Sequence, residues 1–141
     1  MRMFAIAALV LAASVTAVQA QDRTPSPPGA KVFFIGLKDG ATVTNPVTVK
    51  FGIKGMTLAP AGTTAPNTGH HHLLIDTDPP ADLSQPLPAT DNIKHFGKAQ
   101  TETTLTLTPG KHTLQLLLGD ANHIPHNPPV LSKKITITVS Q

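Results

Sequence analysis

Hydrophobic and polar residues alternate along much of the chain. In VTVKFGI, Val47, Val49, Phe51 and Ile53 interleave with Thr48, Lys50 and Gly52, the period of two expected of a half-buried strand. TETTLTLTPG sets Leu105 and Leu107 among threonines and closes on Pro109-Gly110. KHTLQLLLGD places His112, Leu114, Leu116 and Leu118 on one face, and KKITITV does the same with Ile135, Ile137 and Val139. KVFFIGL reads as a first strand, and the turn-rich DGATVTNP links it to the next. No segment carries a helical period with caps. The pattern predicts an all-β domain of about seven short strands, a β-sandwich, with a closed barrel as the alternative architecture.

The order strand, Pro-Gly turn, strand, loop and terminal strand resembles the end of an immunoglobulin-like domain. Two stretches interrupt the β texture. Residues 55–68 contain Pro60, Pro66 and two glycines, and residues 78–91 carry four prolines, which excludes helix and central strand. Ahead of the strands, QDRTPSPPGA (residues 21–30) reads as a proline-rich tether. Residues 1–20 read as a signal peptide: a short basic start at Met1-Arg2-Met3, an apolar segment from Phe4 to Val18, and small residues around Val18-Gln19-Ala20. That segment is shorter than the ~20 apolar residues a spanning helix needs. The organisation expected is a leader at 1–20, a tether at 21–30 and a β-sandwich at 31–141, exported to the periplasm or beyond, with no membrane insertion after cleavage.

Composition narrows the function. The chain has no cysteine, so in an oxidising compartment apolar burial alone must hold the fold. A formal net charge of +3, scattered along the sequence, argues against a nucleic-acid partner. Trp and Tyr are absent, which leaves a few phenylalanines as stacking surfaces for sugars or bases. No serine lies in a nucleophile-elbow context, and the acids show no paired-carboxylate pattern.

The seven histidines are the remaining signal. Three stand together in GHHHLLID. On a strand, His70 and His72 share a face with Leu74 and Asp76, while His71 shares the more apolar face with Leu73 and Ile75. Residues two apart on a strand stand ~7 Å apart at the backbone, so two imidazoles can converge on one ion. A second group, His123 and His126, sits in LGDANHIPHNPP, where Pro125, Pro128 and Pro129 stiffen the loop and lower the entropy lost on holding both rings. His95, in HFGKAQTE, is a further or substitute ligand, or a loop residue bonded to a carbonyl; Phe96 would bury beside it and Gly97 would permit a tight turn. His112 reads as structural or exposed. Met56 offers a thioether for Cu(I) or fills space. Asp76 and Asp120 could orient ligand rings.

GHHHLLID, HFGKAQTE and HTLQLLLGDANHIPHNPPVLSKKI, in this order after a leader, resemble a secreted bacterial family known as a domain of unknown function, some members of which are labelled rod shape-determining protein. The resemblance implies an immunoglobulin-like or cupredoxin-like all-β domain with a histidine-rich end. An imidazole set without cysteine suits Cu(II) or Zn(II) over the oxygen-seeking Ca²⁺ and Mg²⁺. The leading expectation is a periplasmic copper protein using His70, His72, His123 and His126, with His95 as a fifth candidate and zinc as the other metal. The His-x-His arrangement is also similar to the site of copper superoxide dismutases, and Lys94 and Lys98 could guide an anion. The third expectation is a metal-free interaction module. The sequence names no protein partner.

Overall fold

A computed structural model describes residues 22–141 together with Ser14. The leader expected at residues 1–20, Ser14 apart, and Gln21 lie outside the described residues. Among the described residues no helix is long and apolar enough to cross a membrane.

The alternating segments form nine strands: β1 (Lys31–Ile35), β2 (Thr42–Thr44), β3 (Val47–Lys54), β4 (Thr57–Leu58), β5 (Thr68–Ile75), β6 (Ile93–His95), β7 (Glu102–Leu105), β8 (Gly110–Gly119) and β9 (Ile135–Ser140). The sequence pattern predicts about seven; short β2, β4 and β6, of two or three residues each, raise the number. Pieces this short carry no period of their own and exist because a longer neighbour offers a free edge. One sheet has the order β1-β3-β7. The other runs β2-β9-β8-β5-β4, with β6 also paired to β5. The protein is thus an all-β sandwich, and the barrel alternative is excluded by the two separate sheets.

Alternation decides what lies between the sheets. In β3, Val47, Val49 and Phe51 are buried while Thr48 and Lys50 face water. Opposite them, Leu73 and Ile75 of β5, Leu114, Leu116 and Leu118 of β8, and Ile135, Ile137 and Val139 of β9 complete the core. Met56 packs against this core, as a space filler. A smaller apolar cluster lies on the other face of the large sheet, where Leu74 and Leu117 are covered by Leu83 and Leu87 of the proline-rich loop and by Ile93.

β5 is the central element. It pairs antiparallel with β8 from His70↔Gly119 to Ile75↔Leu114. Its other edge is shared: β4 runs parallel to Thr68 and Gly69, and β6 runs antiparallel to His72, Leu73 and Leu74. Asp76, with φ 56°, ends the strand. Its carboxylate accepts the Thr113 amide (2.9 Å) and pairs with His112 Nδ1 (2.7 Å), while His112 Nε2 meets the Thr108 carbonyl (2.7 Å). Asp76 therefore fastens the far end of the β5–β8 pair and orients no ring of the histidine cluster. His112 is structural.

Leu116 is fully buried in the middle of this core. Leu116→Ala is expected to cost about 2–5 kcal/mol of stability, read from the urea midpoint; a cost below about 1 kcal/mol would contradict the packing described.

Candidate metal centre

The β5–β6 and β5–β8 registers bring the histidines together. His71 points into the core, where its ring lies 5.1 Å from that of Phe51. His70 and His72 must then point the other way, onto the outer face of the large sheet. His95 on β6 is the direct partner of His72, so the two side chains stand side by side on that face. His123 arrives from the β8–β9 loop. One ligand atom from each of His70, His72, His95 and His123 lies within 4.8 Å of all the others. Metal–nitrogen bonds of ~2.0–2.1 Å hold donors at most ~4 Å apart, so closing around one ion requires side-chain movements of less than ~1 Å.

Two glycines make room for the rings. A Cβ on Gly119, the partner of His70, would lie 2.7 Å from Cε1 of His72 and 3.3 Å from the His123 Cα. A Cβ on Gly97 would lie 2.4 Å from Cε1 of His95. Gly97 thus serves by leaving space; the positive φ in this turn belongs to Ala99, at 59°. Phe96 turns away from His95 into the core, with its ring 4.9 Å from Phe51.

The loop holding His123 is shaped by Asp120. Its Oδ1 accepts the amides of Asn122 (2.8 Å) and Ile124 (3.0 Å), and its carbonyl accepts the His123 amide (3.0 Å). The bracketed turn leaves His123 at φ 66°. The proline-rich loop braces it further, since the Leu87 amide donates to the His123 carbonyl (2.8 Å). Asp120 bonds no ring of the site; it shapes the loop through this backbone, and its charge partly offsets the lowering of the His70 pKa.

His126, expected with the ligands, stands apart from the group. Its ring is fully buried and Nε2 donates to the Thr68 carbonyl (3.1 Å), tying the loop to the start of β5. Its position three residues beyond His123 does not put it on the same side: His123 lies within the turn that the Asp120 and Ile124 backbones close, whereas His126 follows Pro125 on the returning chain, which is bridged to Gly119.

His70 and His72 are each 1% exposed, His123 is half-buried and His95 faces solvent. Burial, then the neighbouring imidazoles His123 and His95, hold the His70 pKa down at about 4; burial, then His70 and His95, hold that of His72 at about 3. Burial also lowers His95, with His123 adding to the effect. His70 and His72 are consequently neutral at pH 7 and offer lone pairs without losing protons. His70 Nε2 shares one hydrogen bond with His123 Nδ1 (3.0 Å), whereas neither ring nitrogen of His72 has a partner. A buried polar group left unpaired costs about 1–3 kcal/mol. His71 carries the same deficiency, but alone in the apolar core, where its contact with Phe51 is the only compensation visible.

Two outcomes follow. Gly119→Ala is expected to cost about 1–3 kcal/mol by crowding His72, measured by chemical denaturation; an unchanged midpoint would mean that the ring is free to move. The depressed histidines also set a pH dependence. Below pH 6.5 the unfolded chain takes up protons that folded His70, His71 and His72 refuse until about pH 4 or 3, so stability must fall on acidification through this window. His95 and His126, also lowered by burial, act in the same direction, and His112, raised by its bond to Asp76, opposes these five as one group. The urea midpoint of the metal-free protein should drop between pH 7 and 5; a flat or rising midpoint would contradict the burial of these rings.

Comparison with curated proteins and with solved structures gave no match. Residues 49–140 match the model of one family, described as Domain of unknown function (DUF4399). The match runs from within β3 to the end of β9 and takes in all four clustered histidines. It covers more than half of the sequence, and the chain belongs to this family.

Proposed function

We propose that this chain is a periplasmic or secreted copper-binding protein, with His70, His72, His95 and His123 holding one ion and zinc the alternative occupant. The observation that carries this reading is the convergence of four imidazoles, among them buried His72, whose ring nitrogens have no partner. A cation bound there would give the unpaired lone pair of the neutral His72 ring a partner. Nitrogen donors alone favour Cu(II) or Zn(II). Copper fits the exported location that the leader-like residues 1–20 suggest.

A second reading has its own support. His95 is exposed and His123 half-buried, so small solutes can reach the donor set. Lys94 and Lys98 flank His95, and a copper ion with this access could dismutate superoxide. The alternative of a metal-free interaction module predicts no tight site.

Cu(II) and Zn(II) binding, each measured by competition against a chelator of known affinity, tests the reading. One equivalent of copper should bind, with nitrogen hyperfine structure in the electron paramagnetic resonance spectrum. His70→Ala with His72→Ala should weaken binding by at least about a hundredfold with the β circular-dichroism spectrum retained. Weak binding of several equivalents, unchanged in the double variant, would overturn it. Superoxide consumption by the copper-loaded protein separates an enzyme from a carrier.

A further inference from the structure

The residues ahead of β1 are not a free tether. Arg23 donates from Nε to the Pro125 carbonyl (3.1 Å) and from a terminal guanidinium nitrogen to the His126 carbonyl. Thr24 Oγ1 donates to Asp120 Oδ2 (2.6 Å), and Ser26 Oγ donates to the Pro128 carbonyl (2.6 Å). The backbones also pair: the Asn127 amide donates to the Thr24 carbonyl (2.9 Å), and the Ser26 amide to the Asn127 carbonyl (3.2 Å). Residues 23–26 thus lie against the loop that carries His123, on either side of its tip.

Asp120 links this strap to the site. One carboxylate oxygen receives Thr24 and the other receives the two amides that bracket His123. Arg23 grips the chain two and three residues beyond His123. Three of the four clustered histidines sit on paired strands, which need no such help. His123 alone stands on a loop, in a left-handed conformation that non-glycine residues rarely adopt. Its donor nitrogen is therefore the one whose position depends on contacts from outside the sheet. Pro25, Pro27 and Pro28 restrict the strap before it docks, which reduces the entropy lost on ordering it.

We propose that residues 23–26 form a positioning strap for His123, so that strap docking and metal binding at the four-histidine site are thermodynamically coupled. The inference rests on the metal-binding reading above. Arg23 and Thr24 are positioning residues and supply no ligand atom. Coupling of this kind is reciprocal: whatever factor the docked strap adds to metal affinity, bound metal adds to strap docking.

The test uses Zn(II) and Cu(II) as probes on the protein and on Arg23→Ala with Thr24→Val. The double variant should bind metal about tenfold more weakly, and Arg23→Lys alone should retain more affinity than Arg23→Ala, since it keeps the charge without the two-carbonyl fork. Copper in the double variant should show altered nitrogen hyperfine structure, the mark of a displaced fourth imidazole. In the unsubstituted protein, metal should slow amide exchange at residues 23–27 as well as at 120–126. Equal affinity and an unchanged spectrum in the double variant, with strap exchange insensitive to metal, would overturn the strap while leaving the metal site standing, even if the variant melts earlier. Absence of tight binding by the unsubstituted protein would overturn both. In the metal-free state, faster exchange at 120–126 in the double variant is expected, and unchanged exchange there would also overturn the strap's hold on the loop.

Discussion

The antiparallel ladder between β5 and β8 places His71, Leu73 and Ile75 inside the sandwich and His70, His72 and Leu74 outside it. A slip of one residue would exchange these sets, putting the imidazoles of His70 and His72 into the core and His71, Leu73 and Ile75 onto the outer face. The register is held by the leucines of β8 on one side and by Asp76 at the strand end, which fixes both the Thr113 amide and His112. Every other part of the site is placed relative to this ladder. β6 sets His95 beside His72, Gly119 leaves room for a ring, and the chain leaving β8 returns with His123.

The outer face also explains how imidazoles can be buried without entering the core. Loops cover them. The proline-rich segment closes over Leu74 and Leu117 and reaches His123 through Leu87. The Ala61 and Gly62 amides join Gly97 and Ala121 across the mouth. The result is a polar cluster on an apolar sheet, with His70 and His72 buried and His95 exposed to solvent. Such an environment keeps the inner rings neutral and their lone pairs available, while access stays open on one side. The same burial makes the unpaired nitrogens of His72 costly, so stability and ligand capacity oppose each other at this position.

Much of the fold was legible along the chain because a period of two is a local property. VTVKFGI, HTLQLLLG and KITITV fold as the strands their alternation predicts, and the inward face of His71 follows from the leucine and isoleucine that share it. Less legible were β2, β4 and β6, whose pairing comes from neighbours distant in sequence. The site divides in the same way. His70 and His72 are two residues apart on one strand, and their common face needs only strand geometry. His95 joins them through a register between strands separated by the proline-rich loop. His123 and His126 look equivalent in DANHIPH, yet one faces the cluster and the other bonds the Thr68 carbonyl, because His123 lies in the turn closed between Asp120 and Ile124 and His126 on the chain returning past Gly119.

Residues 22–30 show the limit most plainly. Their prolines and lack of period describe a linker, and nothing local distinguishes a linker from a strap. Hydrogen bonds from Arg23, Thr24 and Ser26 to the 120–128 loop span about a hundred residues of chain, and only the closed sandwich brings the two segments together. Strand class, the face of each histidine on β5 and the nitrogen chemistry of the donors follow from neighbouring residues along the chain and are local properties. Which four histidines meet, that His126 stands apart and what holds the loop come from registers and contacts between distant elements, which local pattern does not encode.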